Sequence, residues 1–169
     1  MKKVYLAGPS VFYHNWKEHS KELKSLCYKL GFEPLYPMDN EVSGESPEDI
    51  AKNIAKANVA MIQEADAIIA DITEFRGTAM DTGTAFEVGM AIQRGIPVVT
   101  YTDSERKDYK DRVNDMDNLN EMEDGSLVDS NKMTVENFGL QENLMISALS
   151  DYSNEGPEGA LKILKKIFN

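Results

Sequence analysis

The sequence is poor in the residues that form disulfides and metal sites, and it lacks long apolar runs. It has one cysteine, Cys27, and two histidines, His14 and His19. A single cysteine excludes an intramolecular disulfide, and the histidines are not spaced as metal ligands, so no metal is expected. No apolar stretch reaches the length of a transmembrane helix. The first apolar stretch is broken at Gly8-Pro9, too early for a signal peptide, so a cytoplasmic protein without a membrane partner is expected.

Basic residues are also scarce. The formal net charge is −11, from 29 acidic residues against 18 Lys and Arg. Binding of a phosphate backbone needs clustered cations, and the densest group, Lys162 with Lys165 and Lys166, is short. We therefore expect no nucleic-acid partner. The dinucleotide fingerprint G-x-G-x-x-G is absent as well, since Gly8 stands alone after the first apolar stretch.

Short apolar stretches alternate with amphipathic ones along the chain. Strands are predicted at 4–7, 32–36, 67–70, 96–101 and 126–128, and helices at 15–30, 46–64, 84–94, 136–150 and from 156 onward. This alternation predicts an α/β protein whose single domain covers 1–169: a flavodoxin-like open parallel sheet of about five strands with helices on both faces. The polar stretch 102–123 is interpreted as an insertion or lid that covers the strand ends or is partly disordered.

Three acidic residues surround the end of the third predicted strand. Asp71 ends that strand, Asp81 lies in the loop after it, and Glu87 falls in the first turn of the next predicted helix. Ligands of open parallel sheets bind at the carboxyl ends of the strands, so these acids are predicted to converge there. The residues alone also allow structural roles. Glu87 has capping-box spacing from Thr84, and the two aspartates suit a strand end and a turn or helix cap.

Several motifs, spread in order over most of the chain, resemble those of the nucleoside 2-deoxyribosyltransferases. They are Tyr5-Leu6-Ala7-Gly8-Pro9, Ala65-Asp66-Ala67-Ile68-Ile69-Ala70-Asp71, Arg76-Gly77, Asp81-x-Gly83-Thr84-x-x-Glu87-x-Gly89 and Asn143-Leu144-Met145. Each motif is weak alone, and together they are specific. The resemblance implies an enzyme of nucleotide salvage that moves 2-deoxyribose from a deoxynucleoside to another free purine or pyrimidine base. No cofactor is implied.

The same resemblance implies a role for each matching residue. Glu87 resembles the nucleophile that forms a deoxyribosyl-enzyme, Asp71 the acid that protonates the departing base, and Tyr5 the phenol that orients Glu87. A retaining displacement at an anomeric carbon needs such a carboxylate and proton donor. Because neighbouring acids cannot all ionise cheaply, the pKa of Asp71, beside an apolar strand, is expected to rise.

The remaining residues implied by the resemblance bind substrate. Asp81 resembles the partner of the sugar 5′-hydroxyl, and Gly8 and Phe12 are assigned to the binding site. Asn143 and Met145 resemble residues that are inserted into a neighbouring subunit's site. A homo-oligomer is therefore expected, either a dimer or a hexamer built from dimers.

Two other functions remain open. One is an N-glycosidase that hydrolyses deoxynucleosides or their 5′-monophosphates; Asp81 disfavours the latter, because a carboxylate repels a phosphate. The other is a non-catalytic nucleotide-sensing module, which would not require Asp71, Asp81 and Glu87 together.

Overall fold

A computed structural model describes residues 1–169. The strands are β1 Lys2–Ala7, β2 Phe32–Leu35, β3 Ala67–Asp71, β4 Val98–Tyr101, β5 Asn120–Glu121, β6 Leu127–Val128 and β7 Asp151–Ser153. The helices are α1 Trp16–Leu30, α2 Pro47–Glu64, α3 Thr82–Arg94, α4 Tyr109–Met116, α5 Leu144–Ser147 and α6 Gly156–Ile167. None of these helices is both long and apolar enough to span a membrane.

Five parallel strands form the main sheet in the order β2-β1-β3-β4-β7. This is the predicted flavodoxin-like order, which is confirmed. The chain moves outward from β1 to β2 and then returns to place β3 on the other side of β1, so the strand order reverses between β1 and β3. In open α/β sheets the crevice at the carboxyl ends of two such strands is where ligands bind.

Helices cover both faces of the sheet, as predicted. Helices α1 and α6 bury Leu23, Cys27, Leu161 and Leu164 against one face. On the other face, α2 and α3 bury Ile62, Val88 and Ala91, and Ile146 of α5 joins them. Strand β3 is fully buried because both of its faces are covered. A strand buried on both sides reads as a continuous apolar run, which is how the sequence shows it.

The predicted fifth strand at 126–128 is wrong. Leu127–Val128 pairs antiparallel with Asn120–Glu121 in a separate two-stranded hairpin. The fifth strand of the main sheet is Asp151–Ser153, which pairs in parallel with β4. It is only three residues long, and two of these, Asp151 and Ser153, are polar, so it lacks the apolar pattern by which the other strands were found.

The predicted helix at 136–150 is also wrong, because only Leu144–Ser147 is helical. Gly139 has a left-handed backbone, with φ of 67°. Asn143 then caps the short helix, its side chain accepting a hydrogen bond from the Met145 N–H. Leu149, expected to face inward, is 53% exposed. Local side-chain hydrogen bonds therefore override the apolar periodicity here.

Residues 102–123, interpreted as an insertion or lid, contain helix α4 and strand β5. Asp108 caps α4 by accepting a hydrogen bond from the Asp111 N–H at 2.9 Å. Two arginines of this stretch, Arg106 and Arg112, are almost completely buried. The stretch is therefore tied to the body of the domain by its charged residues.

Candidate active site

A cavity of about 300 Å³ opens where β1 and β3 end. It is lined by Gly8, Val11, Phe12, Pro37, Met38, Ile54, Asn58, Asp81, Gly83, Thr84 and Glu87. Four of the residues assigned to the site from sequence are in this wall: Gly8, Phe12, Asp81 and Glu87. The remainder of the wall comes from the first turn of α3, from α2 and from the short helical turns after β1 and β2.

Tyr5 and Glu87 form a hydrogen-bonded pair at the base of the cavity. Tyr5 lies within β1 and is completely buried, and Glu87 lies on α3. The Tyr5 hydroxyl donates to Glu87 Oε1 at 2.6 Å. The pKa of Tyr5 lies well above its ordinary value, because the phenolate would be buried beside the negative charge of Glu87. Tyr5 therefore remains a hydrogen-bond donor and fixes one oxygen of the carboxylate.

Burial, with a smaller contribution from the nearby charge of Asp81, raises the pKa of Glu87 to about 7. The hydrogen bond from Tyr5 acts in the opposite direction, because it stabilises the ionised carboxylate. Glu87 is therefore balanced between its two protonation states near neutral pH. A carboxylate tuned in this way is typical of a catalytic group, although structural networks also shift pKa values.

The start of α3 differs from the prediction, and this difference tests whether Glu87 forms a capping box with Thr84. The helix begins at Thr82 rather than Thr84, and its cap is Asp81. Asp81 Oδ2 accepts from the Thr84 N–H at 2.8 Å and from the Thr84 hydroxyl at 2.9 Å. Glu87 thus lies in the second turn and hydrogen-bonds to Tyr5, so the capping-box alternative is wrong. Asp81 Oδ1 has no hydrogen-bond partner within the chain.

Asp71 lies directly behind Gly8 and is not part of the cavity wall. A Cβ atom at position 8 would lie only 2.8 Å from the Asp71 Cβ, and Gly8 has a φ of 152°, so only glycine fits here. Burial raises the pKa of Asp71, as expected, although hydrogen bonds from Thr73 oppose the rise. One of these, from the Thr73 N–H to Asp71 Oδ1, measures 2.9 Å. Of the three acids, Asp81 and Glu87 line the cavity, whereas Asp71 is separated from it by Gly8.

An aromatic stack borders the cavity. Phe12 is 58% exposed and stacks on Phe75, with ring centroids 5.1 Å apart. The Arg76 guanidinium lies 4.6 Å from the centroid of the Phe75 ring. An exposed ring at a cavity wall offers a flat surface on which a planar heterocycle can stack.

Asn58 is a residue of the site that the sequence analysis missed. It lines the cavity from α2, and its Oδ1 is the one buried side-chain nitrogen or oxygen atom without a hydrogen-bond partner. A buried unpaired amide is costly, which is typical of a group that is completed by a ligand. The available signal was its position one helical turn after Ile54, on the same face of the helix.

Asn143 and Met145 do not line this cavity. Met145 is 61% exposed and Asn143 is also exposed. The Asn143 side chain donates to Glu136 Oε1 at 2.7 Å, and the other oxygen of Glu136 accepts from the Leu144 N–H at 2.9 Å. These contacts hold both residues at the surface of their own chain. No group of three or more His, Cys, Asp or Glu side chains is arranged to hold a metal ion.

The fold agrees with comparisons to known proteins. The family model for nucleoside 2-deoxyribosyltransferase matches residues 4–145. The chain therefore belongs to the nucleoside 2-deoxyribosyltransferase family, and the resemblance seen in its motifs is confirmed. No curated protein is significantly similar to it in sequence.

Two solved structures extend this result. A 2-desoxiribosyltransferase from Leishmania mexicana is 34% identical, with a TM-score of 0.75, and the match covers 98% of both chains. A conserved protein from Enterococcus faecalis V583 is 24% identical, with a TM-score of 0.65 and 99% of both chains covered. The second similarity establishes the fold alone. The first supports an enzyme of the nucleoside 2-deoxyribosyltransferase kind.

Proposed function

We propose that this protein transfers the 2-deoxyribosyl group of a 2′-deoxynucleoside to another free purine or pyrimidine base, with Glu87 as the nucleophile. The observation that carries this proposal is the Tyr5–Glu87 hydrogen bond of 2.6 Å at the wall of a cavity that also contains Asp81. A fixed carboxylate next to a cavity of this size is what a covalent sugar intermediate requires. Family membership supports the same chemistry.

In the first step, a carboxylate oxygen of Glu87 forms a bond to C1′ of the sugar as the bond from C1′ to the base nitrogen breaks. The bonding electrons leave with the base, which takes up a proton. In the second step, the nitrogen of an incoming base attacks C1′, releases Glu87 and loses a proton. Two displacements on opposite faces retain the configuration at C1′.

Asp71 is our candidate for the group that gives and takes this proton. Its raised pKa suits a proton donor, since burial keeps a fraction of the acid protonated at higher pH. Asn58 is our candidate for a direct hydrogen bond to the base, because its amide lines the cavity and is unpaired on Oδ1. Phe12 offers the stacking surface for the same base.

Asp81 selects the substrate in this proposal. Its free Oδ1 accepts a hydrogen bond from the sugar 5′-hydroxyl, whereas a 5′-phosphate would meet a buried negative charge. This favours nucleosides over their monophosphates and therefore ranks the 5′-monophosphate N-glycosidase below an enzyme that acts on nucleosides. Hydrolysis of nucleosides is the second candidate function, because water can take the place of the incoming base. A sensing module ranks last, since it has no use for a carboxylate held as Glu87 is.

The site is completed, in our proposal, by a neighbouring copy of the chain. Asn143 and Met145 are exposed and outside their own cavity, which supports donation to another subunit of a dimer or of a hexamer built from dimers. The substrates are then deoxynucleosides and free bases, and no cofactor takes part.

The test mixes a stoichiometric amount of enzyme with a deoxynucleoside in the absence of an acceptor base. We expect a burst of free base and a covalent mass increase located on Glu87, and both should be absent in Glu87→Ala. Addition of a second base should then produce the exchanged nucleoside. Normal transfer by Glu87→Ala would overturn the nucleophile assignment. Release of base without a burst or exchange would favour the hydrolase, and equal or better use of the 5′-monophosphate would favour the monophosphate glycosidase.

A further inference from the structure

A buried cluster of charges lies next to the cavity without forming part of its wall. The side chain of Glu142 is 2% exposed, and those of Arg106 and Arg112 are 4% and 6% exposed. Glu74 completes the cluster and is 38% exposed. Taking charges out of water is costly, so even a well-paired buried cluster adds little net stability. The cluster is therefore not explained by stabilisation of the fold alone. The chemistry proposed above does not use any of these groups.

The Glu142 carboxylate is held on both sides. Oε2 accepts from the Met80 N–H at 3.0 Å and pairs with Arg106 Nη2 at 3.3 Å and Arg112 Nη2 at 3.5 Å. Oε1 accepts from the Asn143 N–H at 3.2 Å. Hydrogen bonds to an ionised group are stronger than neutral ones, so these contacts fix the position of the Met80 backbone.

Met80 is the residue immediately before Asp81. Arg112 also donates from Nε to the Thr78 carbonyl oxygen at 3.0 Å, so the short stretch that leads into Asp81 is held at both of its ends. Asp81 itself uses only Oδ2 to cap α3. The direction of its free Oδ1 therefore depends on the backbone that Glu142 and Arg112 hold.

We propose that Glu142, held by Arg106 and Arg112, is a positioning residue that aims Asp81 at the 5′-hydroxyl of the sugar. This inference rests on the proposed function, in which Asp81 binds that hydroxyl. It also gives residues 102–123 a role: they supply the two arginines that hold the Glu142 carboxylate in place. Glu142 acts through the Met80 backbone and does not touch the substrate.

The experiment measures kcat/KM for a 2′-deoxynucleoside and for its 2′,5′-dideoxy counterpart, which lacks only the 5′-hydroxyl. The ratio of the two values is the preference for the hydroxyl, and a general loss of stability does not change it. The variants are Glu142→Gln, which weakens the contacts to the arginines, and Glu142→Asp, which keeps the charge but withdraws the carboxylate from Met80. Glu74→Gln is the matched control, because Glu74 pairs with the same arginines at 3.4 and 3.1 Å without contacting Met80.

We expect the wild-type enzyme to prefer the 5′-hydroxyl, and each Glu142 variant to lose that preference by about tenfold, since misplacement of a binding group by a fraction of an ångström is costly. Glu74→Gln should keep the preference within about twofold of wild type. If Glu142→Gln does not fold, Glu142→Asp decides the question. An unchanged preference in the Glu142 variants, an equal loss in Glu74→Gln, or no preference in wild type would each overturn the inference. Absence of any base release by wild type would instead refute the proposed function.

Discussion

The cavity wall and the segment 129–150 are built in opposite ways. Glu87 of the wall lies on α3, and Tyr5, buried behind it, lies on β1; these two regular elements pack together, and the hydrogen bond forms within one chain. In the segment, Asn143 and Met145 are exposed on a helix of only four residues. The difference teaches that one chain preorganises the carboxylate that we propose as nucleophile, whereas the groups assigned to complete the site lie outside its own cavity.

The largest expected effect tests whether that second region serves a neighbouring chain. Glu87→Ala and Asn143→Ala should each be nearly inactive alone, and activity should return when the two variants are refolded together. A mixed dimer contains one site with both native residues. With random mixing, about a quarter of wild-type activity per chain is expected, because half of the dimers are mixed and half of their sites are intact. Base exchange before and after mixing is the measurement.

The control for this experiment is each variant refolded with itself, which should remain inactive. Formation of mixed oligomers is verified by two affinity tags of different kinds. If verified mixed oligomers stay inactive, Asn143 does not act across an interface, and the contrast between the two regions has no functional meaning.

The next effect separates the two groups assigned to the base, Asp71 and Asn58. Asp71→Asn should slow the release of an ordinary base about a hundredfold. It should slow the release of a base with an electron-withdrawing substituent much less, because a better leaving group needs less protonation. Asn58→Ala removes a hydrogen bond to the base but no proton donor, so it should slow both substrates to a similar extent. Single-turnover rates with the matched pair of deoxynucleosides give the comparison. If Asp71→Asn slows the release of both bases equally, Asp71 is not the acid that protonates the departing base.

A smaller effect tests the hydrogen bond by which Tyr5 holds Glu87. In Tyr5→Phe the hydrogen bond that stabilises ionised Glu87 is lost, so the pKa of Glu87 should rise above about 7. Formation of the covalent intermediate should therefore need a higher pH, with a loss of about tenfold at neutral pH, since hydrogen bonds to charged groups contribute about 1.5–3 kcal/mol. Tyr36→Phe is the control, because the Tyr36 hydroxyl is buried but lies 3.2 Å from Ser10 Oγ, away from Glu87. The same shift in both variants would contradict the Tyr5 role.

The smallest effect concerns stability. Burial raises the pKa of Glu87 to about 7, so between its unfolded value near 4.5 and that pH the folded state binds a proton that the unfolded state lacks. The free energy of unfolding therefore falls as pH rises through this window, and the full penalty applies above it. Glu87→Gln should stabilise the protein by up to about 3 kcal/mol at pH 8 and by little at pH 4.

Thermal unfolding at the two pH values is the measurement for Glu87→Gln. Glu22→Gln, a change of an exposed acid on α1, is its control and should have the same small effect at both pH values. A Glu87→Gln protein that is no more stable than wild type at pH 8 would show that Glu87 is not strained by burial in the folded state.

The sequence by itself determined four of the five strands of the main sheet, β1 to β4, and the chemical character of the sheet edge. Apolar stretches such as Ala67–Asp71 are buried on both faces, and burial of this kind leaves a continuous pattern that can be read without a structure. Ser46 followed by Pro47 predicted the start of α2, where Ser46 accepts from the Asp49 N–H at 3.1 Å. Glu87, Asp81 and Gly8 were assigned to the site through the resemblance of their local motifs to the family, and they share one cavity.

Only the tertiary structure decided what depends on contacts between distant residues. Strand β7 is recognisable only because β4 provides its hydrogen bonds. The partners of buried Glu142 are likewise distant in sequence, since Arg106 and Arg112 precede it by 36 and 30 residues. Asn58 carries no motif, and its unpaired amide becomes apparent only when α2 packs beside the cavity. The local sequence pattern indicates which residues are buried, whereas the hydrogen-bonding partners of polar groups depend on which distant segments of the chain pack together.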